Sequence, residues 1–167
     1  TVAPAEGWYF AGETAVVTAY PSIYYHLDGW SGSTAGATFE SNRLSVVIIA
    51  PRTLSAAFAP NLTLARGVPE YWLASYGWTH DFEAAAETDT DNDRMAAWAE
   101  WRADTDPTDA RSLLSLTAPQ PHAGSIRLSW GGGILRTQVV QRADAPAGPW
   151  LSVYTNLPPT PVTNALV

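Results

Sequence analysis

The stretch "DTDNDRMAAWAEW", residues 89–101, decides how this chain is read. Asp89, Asp91 and Asp93 stand at alternate positions, and Glu100 follows the last of them by seven. That is the ligand rhythm of a twelve-residue calcium loop, which takes carboxylates at positions one, three, five and twelve and a backbone carbonyl at position seven. On that template Met95 offers only its carbonyl, and Ala97 at position nine leaves room for a water. Glu100 is placed to bind with both oxygens from the helix that follows. Carboxylates this close repel one another, and a divalent cation relieves that repulsion. The departure is Arg94 at position six, a sharp turn with positive φ that Gly adopts freely and other residues resist by roughly 1–2 kcal/mol. Three readings stay open: a calcium site of lowered affinity, a decayed loop in which Arg94 pairs with Asp89 or Asp93, and a plain acidic turn. Asp106, in "DTDP", is a further candidate ligand or a cap for the next turn.

The charge around this loop is uneven. Residues 67–116 hold eleven of the sixteen acidic side chains and three of the nine Arg, while the whole chain carries −7. A concentrated negative patch argues against nucleic acid and for a cation or a solvated acidic face. There is no Cys, so no disulfide or thiolate chemistry, and the compartment stays open. There is no Lys, which reads as genomic composition bias. No apolar run approaches the roughly 18–20 residues that span a bilayer, so membrane insertion is not expected. No signal peptide is visible, and "TVAPAEG" reads as an internal start.

Texture divides the chain into three expected domains: 5–60, 67–116 and 117–167. The first is strand-like. "TAVVTAY" alternates Ala15, Val17 and Ala19 against Thr14, Val16 and Thr18. "YYHLDGW" is expected to reach a turn at Asp28-Gly29. "RLSVVII" and "LSAAF" are expected to form a hairpin around "APRT", with Trp30 and Phe58 in the core. The second changes to helical period. "PEYWLASYG" ends at Gly77, a natural C′ residue, and "DFEAAAE" starts at a capping Asp81. "MAAWAEWRA" is then stopped ahead of Pro107. The third returns to strands at "SIRLSW", "ILRTQVVQR" and "LSVYT", with "NLPPTPVTN" irregular. Three strands are too few to close a sandwich, so this domain is expected to be partial and truncated.

The first segment, through "AGETAVVTAYP", "YYHLDGWSG" and "LSVVIIAPRTLSAAFAP", resembles the divergent internalin B-type repeat, also called the Listeria–Bacteroides repeat. That resemblance implies a small β-grasp-like module of surface and secreted bacterial proteins. "DTDNDR", "MAAWAEW" and "DTDP" resemble the calcium repeats of thrombospondin type 3 and dockerin type, whose position at Asp104 is usually Gly. "IRLSW", "VVQRADAPAGPW" and "LSVYTNLPP" resemble fibronectin-like or immunoglobulin-like sandwiches. Together they imply a mainly β, multidomain chain: a repeat, a short helical EF-hand-like segment binding Ca2+ through Asp89, Asp91, Asp93, Met95, Glu100 and Asp106, and a partial sandwich.

The function expected is a non-catalytic, calcium-stabilised spacer or adhesion region of a secreted or cell-surface bacterial protein. Its expected partners are calcium and either other domains of its parent protein or a cell-surface polysaccharide. Eight Trp and seven Tyr motivate the alternative of a carbohydrate-binding module. A second alternative is dockerin-like docking through Trp98 and Trp101. Catalysis is not expected. His26, His80 and His122 lie in different segments, and "GWSGS" has the wrong spacing for a nucleophile elbow.

Overall fold

The computed structural model describes residues 1–167. Two compact units form: Thr1–Thr63 with Pro69–Tyr71, and Leu64–Val68 with Trp72–Val167.

The first unit holds six strands: β1 (Val2–Ala3), β2 (Thr14–Ala19), β3 (Tyr25–Gly32), β4 (Thr38–Glu40), β5 (Arg43–Val47) and β6 (Leu54–Pro60). One sheet has the order β1-β2-β5-β4, and the other pairs β3 with β6. The period-2 pattern of the sequence sets which side chains are buried. Ala15, Leu44 and Val46 form the core, and Trp30, Ile48 and Leu54 pack against them. Phe58 is half-buried but lies outside this cluster, contrary to its expected place in the core.

Two further expectations are corrected here. β5 and β6 do not pair as a hairpin; β5 bonds to β2 and β4, whereas β6 bonds to β3. Alternation alone specifies a face, not a partner. Asp28-Gly29 is not a turn either. β3 runs through it, and the register against β6 shifts between Leu27 and Gly29, leaving Asp28 as a bulge. The hairpin that does form joins β4 to β5 through Ser41-Asn42, with Ser41 at φ 52°.

Three short helices follow in sequence: α1 (Glu70–Ser75), whose last four residues belong to the second unit, α2 (Phe82–Ala86) and α3 (Ala97–Ala103). α1 ends as its sequence implies. Gly77 has φ 102°, its N–H donates to Ala74 O at 3.1 Å, and Trp78 N–H donates to Leu73 O at 3.4 Å. That is a Schellman closure. Asp81 precedes α2 but does not cap it; it sits at φ 51° and makes no side-chain bond to the helix. α3 begins two residues later than expected, leaving Met95 and Ala96 in the loop. Val68, Leu73, Ala85, Ala86 and Ala97 form the buried core of the helical part, ringed by Trp72, Trp78, Phe82, Trp98 and Trp101.

Six strands follow: β7 (Ser115–Leu116), β8 (Gln120–His122), β9 (Ser125–Gly131), β10 (Gln138–Arg142), β11 (Leu151–Asn156) and β12 (Thr163–Leu166). β9 is bordered by β12 and β7 and pairs with β8, while β10 pairs only with β11. β12, whose first two residues lie in the stretch expected to be irregular, is a strand on β9. β10 starts four residues later than the sequence suggested. The amides of Ile134 and Leu135 bond to Asp104, and the Ile134 carbonyl accepts from Thr160 N, so this backbone is committed outside a ladder.

Candidate metal centre

The acidic loop is built by hydrogen bonds that fold the backbone around its own carboxylates. Asp89 Oδ1 accepts from Asn92 N at 2.8 Å, and its Oδ2 accepts from Arg94 N at 3.0 Å. Asp91 Oδ1 accepts from Asp93 N at 3.2 Å, and Asp93 Oδ1 from Met95 N at 2.6 Å. The loop is then clipped by Ala97 N donating to Thr88 O at 2.9 Å. Short acidic side chains bond readily to amides two or three residues on, which is why alternate Asp residues curl a chain this way.

These bonds bring one oxygen from each of Asp89, Asp91 and Asp93 within 4.8 Å of one another. It is the one group of three or more His, Cys, Asp or Glu side chains that converges in the chain. The second oxygens of Asp91 and Asp93 are buried and have no hydrogen-bond partner. Glu100 stands outside the 4.8 Å group, on α3, and is wholly buried. Its Oε1 accepts from Thr105 Oγ1 at 3.4 Å, and its Oε2 has no partner. Burial first, then the charges of Asp91 and Asp93, push its carboxyl up to about 8, against the hydrogen bond from Thr105; Asp106 adds a smaller push upward. Asp91 is also raised, by burial first, with the neighbouring Asp93 and Asp89 charges adding to it against bonds from the backbone.

A carboxylate buried without a counter-charge is costly, and a cation beside the Asp triad would offset that cost for the partnerless oxygens of Asp91, Asp93 and Glu100. The donors are all oxygen, which suits a hard ion such as calcium or magnesium; zinc prefers nitrogen and sulfur. The residues present therefore fit the group that the spacing suggests. Asp89, Asp91, Asp93 and Glu100 would hold it; Met95, whose carbonyl the spacing also suggests, lies just before α3, where Ala96 O accepts from Ala99 N and Glu100 N. Asp106 does something more local: its Oδ1 accepts from Thr108 N at 2.9 Å and Thr108 Oγ1 at 2.7 Å, capping the next turn.

Arg94 adopts φ 81°, as position six demands. Its side chain is exposed and pairs with no carboxylate; the ion pairs of the chain are Arg66–Glu87, Arg111–Asp109 and His80–Asp81. Asn92, also left-handed at φ 65°, shares the turn. Sequence reasoning missed Thr105, which faces Glu100, because a Thr five residues beyond a ligand carries no local signal. Trp98 and Trp101 are both engaged internally. Arg66 and Arg102 lie 4.4 and 5.3 Å from the Trp98 ring centroid, and Trp101 packs against Trp72 and under Arg136.

Comparison with known proteins adds one finding. Residues 1–62 match the model of the Divergent InlB B-repeat domain. No curated protein and no solved structure matches the chain. The match supports the repeat resemblance of the first segment and ends before α1, so the acidic loop and the strands after it lie beyond it. No helix is long and apolar enough to cross a membrane.

Proposed function

We propose that this chain is a non-catalytic, calcium-stabilised spacer or adhesion region of a secreted or surface-attached bacterial protein. The observation that carries the calcium part is the convergence of Asp89, Asp91 and Asp93 beside a wholly buried Glu100, with three carboxylate oxygens lacking partners. The repeat match at residues 1–62 supports the extracellular setting. The ion serves structure: it neutralises the loop, fixes α3 and so completes the helical core. Affinity in the range of extracellular modules, about 10⁻⁴–10⁻³ M, is sufficient for that role. At ten times Kd the ion stabilises the fold by about 1.4 kcal/mol through mass action. Titration calorimetry with calcium, and melting with calcium or chelator, test the reading. Absence of binding at millimolar calcium overturns it.

A second reading, carbohydrate binding, is favoured by one feature of the first unit. A cavity of about 450 Å³ is lined by Trp8, Tyr9, Trp30 and Arg52, among others. Trp8 is fully exposed, whereas Trp30 Nε1 and Arg52 Nε are buried without an acceptor and do not face solvent. Exposed aromatic faces such as that of Trp8 suit sugar rings. Retention on a polysaccharide that Trp8→Ala abolishes would establish it; clean flow-through would leave the spacer reading alone.

A further inference from the structure

The loop ligands sit at one end of a helix whose other end is held by the connection between β9 and β10. α3 has only seven residues, whereas helices below roughly 12–15 residues are marginal on their own. Its last carbonyls are satisfied from outside. Ala103 O accepts from Gly133 N at 3.2 Å, and Trp101 O accepts from Arg136 Nη2 at 3.0 Å, with the guanidinium 4.3 Å from the Trp101 ring centroid. Asp104 is the C-cap, left-handed at φ 60°, a conformation that suits Gly. An Asp there brings a carboxylate, and its Oδ2 accepts from both Ile134 N at 3.0 Å and Leu135 N at 2.8 Å.

Gly133 allows the approach: a Cβ there would stand 2.1 Å from Asp104 O and 2.4 Å from Ala103 O. Thr160 holds the far side of the same segment through Gly133 O at 3.0 Å and Ile134 O at 2.8 Å. The segment 133–136 is thus a clasp on the C-terminal end of α3.

We propose that Asp104 and Arg136 are positioning residues for the metal centre: they lock α3 onto the clasp and thereby set the place of Glu100. The inference rests on the calcium reading. Glu100 is three residues before Ala103, one helical turn, so a helix end that frays releases the ligand as well. Linkage makes the effect reciprocal: if the clasp strengthens calcium binding, calcium tightens the clasp by the same factor.

The experiment combines calcium affinity by titration calorimetry with hydrogen exchange at the Ile134 and Leu135 amides in the full chain. In the unaltered protein, calcium should slow exchange at both. Asp104→Gly keeps a favourable left-handed cap but removes the acceptor; it should weaken calcium binding about fivefold or more and abolish the calcium-dependent protection. Asp104→Asn keeps an acceptor oxygen and should restore near-normal affinity, which separates the clasp from a mere loss of negative charge near the ion. Arg136→Met keeps packing on Trp101 without the hydrogen bond and should weaken binding in the same direction. If the unaltered protein binds calcium while Asp104→Gly binds it equally well, this inference falls and the calcium reading stands. Equal weakening by Asp104→Gly and Asp104→Asn overturns the clasp in favour of simple charge. A protein that binds no calcium at all overturns both.

Discussion

Arg94 is the residue at which local preference and site geometry conflict. Its φ of 81° costs an L-residue roughly 1–2 kcal/mol, and its charge stands in the loop proposed to hold a cation. Arg94→Gly is therefore expected to raise the melting temperature without metal and to tighten calcium binding; unchanged affinity in calorimetry would mean that the strain is absorbed elsewhere. Glu100 governs the pH response. Its carboxyl is raised from 4.5 to about 8 in the metal-free fold, so the folded chain keeps a proton that the unfolded chain releases. A folded state that binds more protons loses stability as pH rises, here across the window from about 4.5 to about 8. Metal-free protein should melt lower at about pH 8 than at about pH 5, and saturating calcium should remove that slope, because the ion takes the proton's place. Glu100→Gln should flatten the metal-free profile and also abolish the calcium-dependent rise in melting temperature. A flat profile in the unaltered protein would mean that Glu100 is less confined than its burial indicates.

Elements carry two expectations of their own. Gly77 closes α1 at φ 102°, with open space where a Cβ would stand. Gly77→Ala should cost about 1–2 kcal/mol through backbone strain alone, measurable by denaturant titration. Trp30 lies on β3 and packs on Ala15, Leu44 and Val46, joining the two sheets of the first unit. Trp30→Ala should cost roughly 3–5 kcal/mol, and a melting temperature close to normal would remove Trp30 from the core. These two elements were legible in sequence because a Gly after a helical run and an aromatic in an alternating run each have one common use. Asp81 shows the contrary case: it has the composition of an N-cap, yet its own backbone is left-handed and its carboxylate is aimed elsewhere.

At the scale of the whole molecule, the strands after α3 leave much apolar surface uncovered. Leu116, Ile126, Leu151 and Val153 are each more than half exposed. β10 has a partner on only one side, and so has β11. Open edges with apolar side chains favour pairing with another chain. Sedimentation should show concentration-dependent association, reduced by the paired change Leu151→Lys and Val153→Lys, since charges on an edge strand oppose edge-to-edge pairing. A monomer at high concentration would show that these faces are harmless as they stand.

Local order was written in the chain itself. Side-chain alternation puts Leu44 and Val46 on one face and Val47 on the other, because the strand period is two whatever the partner, and the first face is the buried one. The spacing of Asp89, Asp91 and Asp93 marked an acidic loop with a calcium-loop rhythm; the bonds by which its backbone folds on those carboxylates span only two to five residues, so they are as local as the spacing itself. Partner choice was not written there. β5 and β6 join different sheets, β12 finds β9 across a long stretch of chain, from Thr163 back to Gly131, and Asp104 answers the amides of Ile134 and Leu135. Contacts of that reach depend on which faces remain unburied once every element has formed. Glu100 is the clearest instance: its place at the twelfth loop position is a matter of spacing, but its burial, and with it the raised pKa, comes from the packing of α3 in the folded unit.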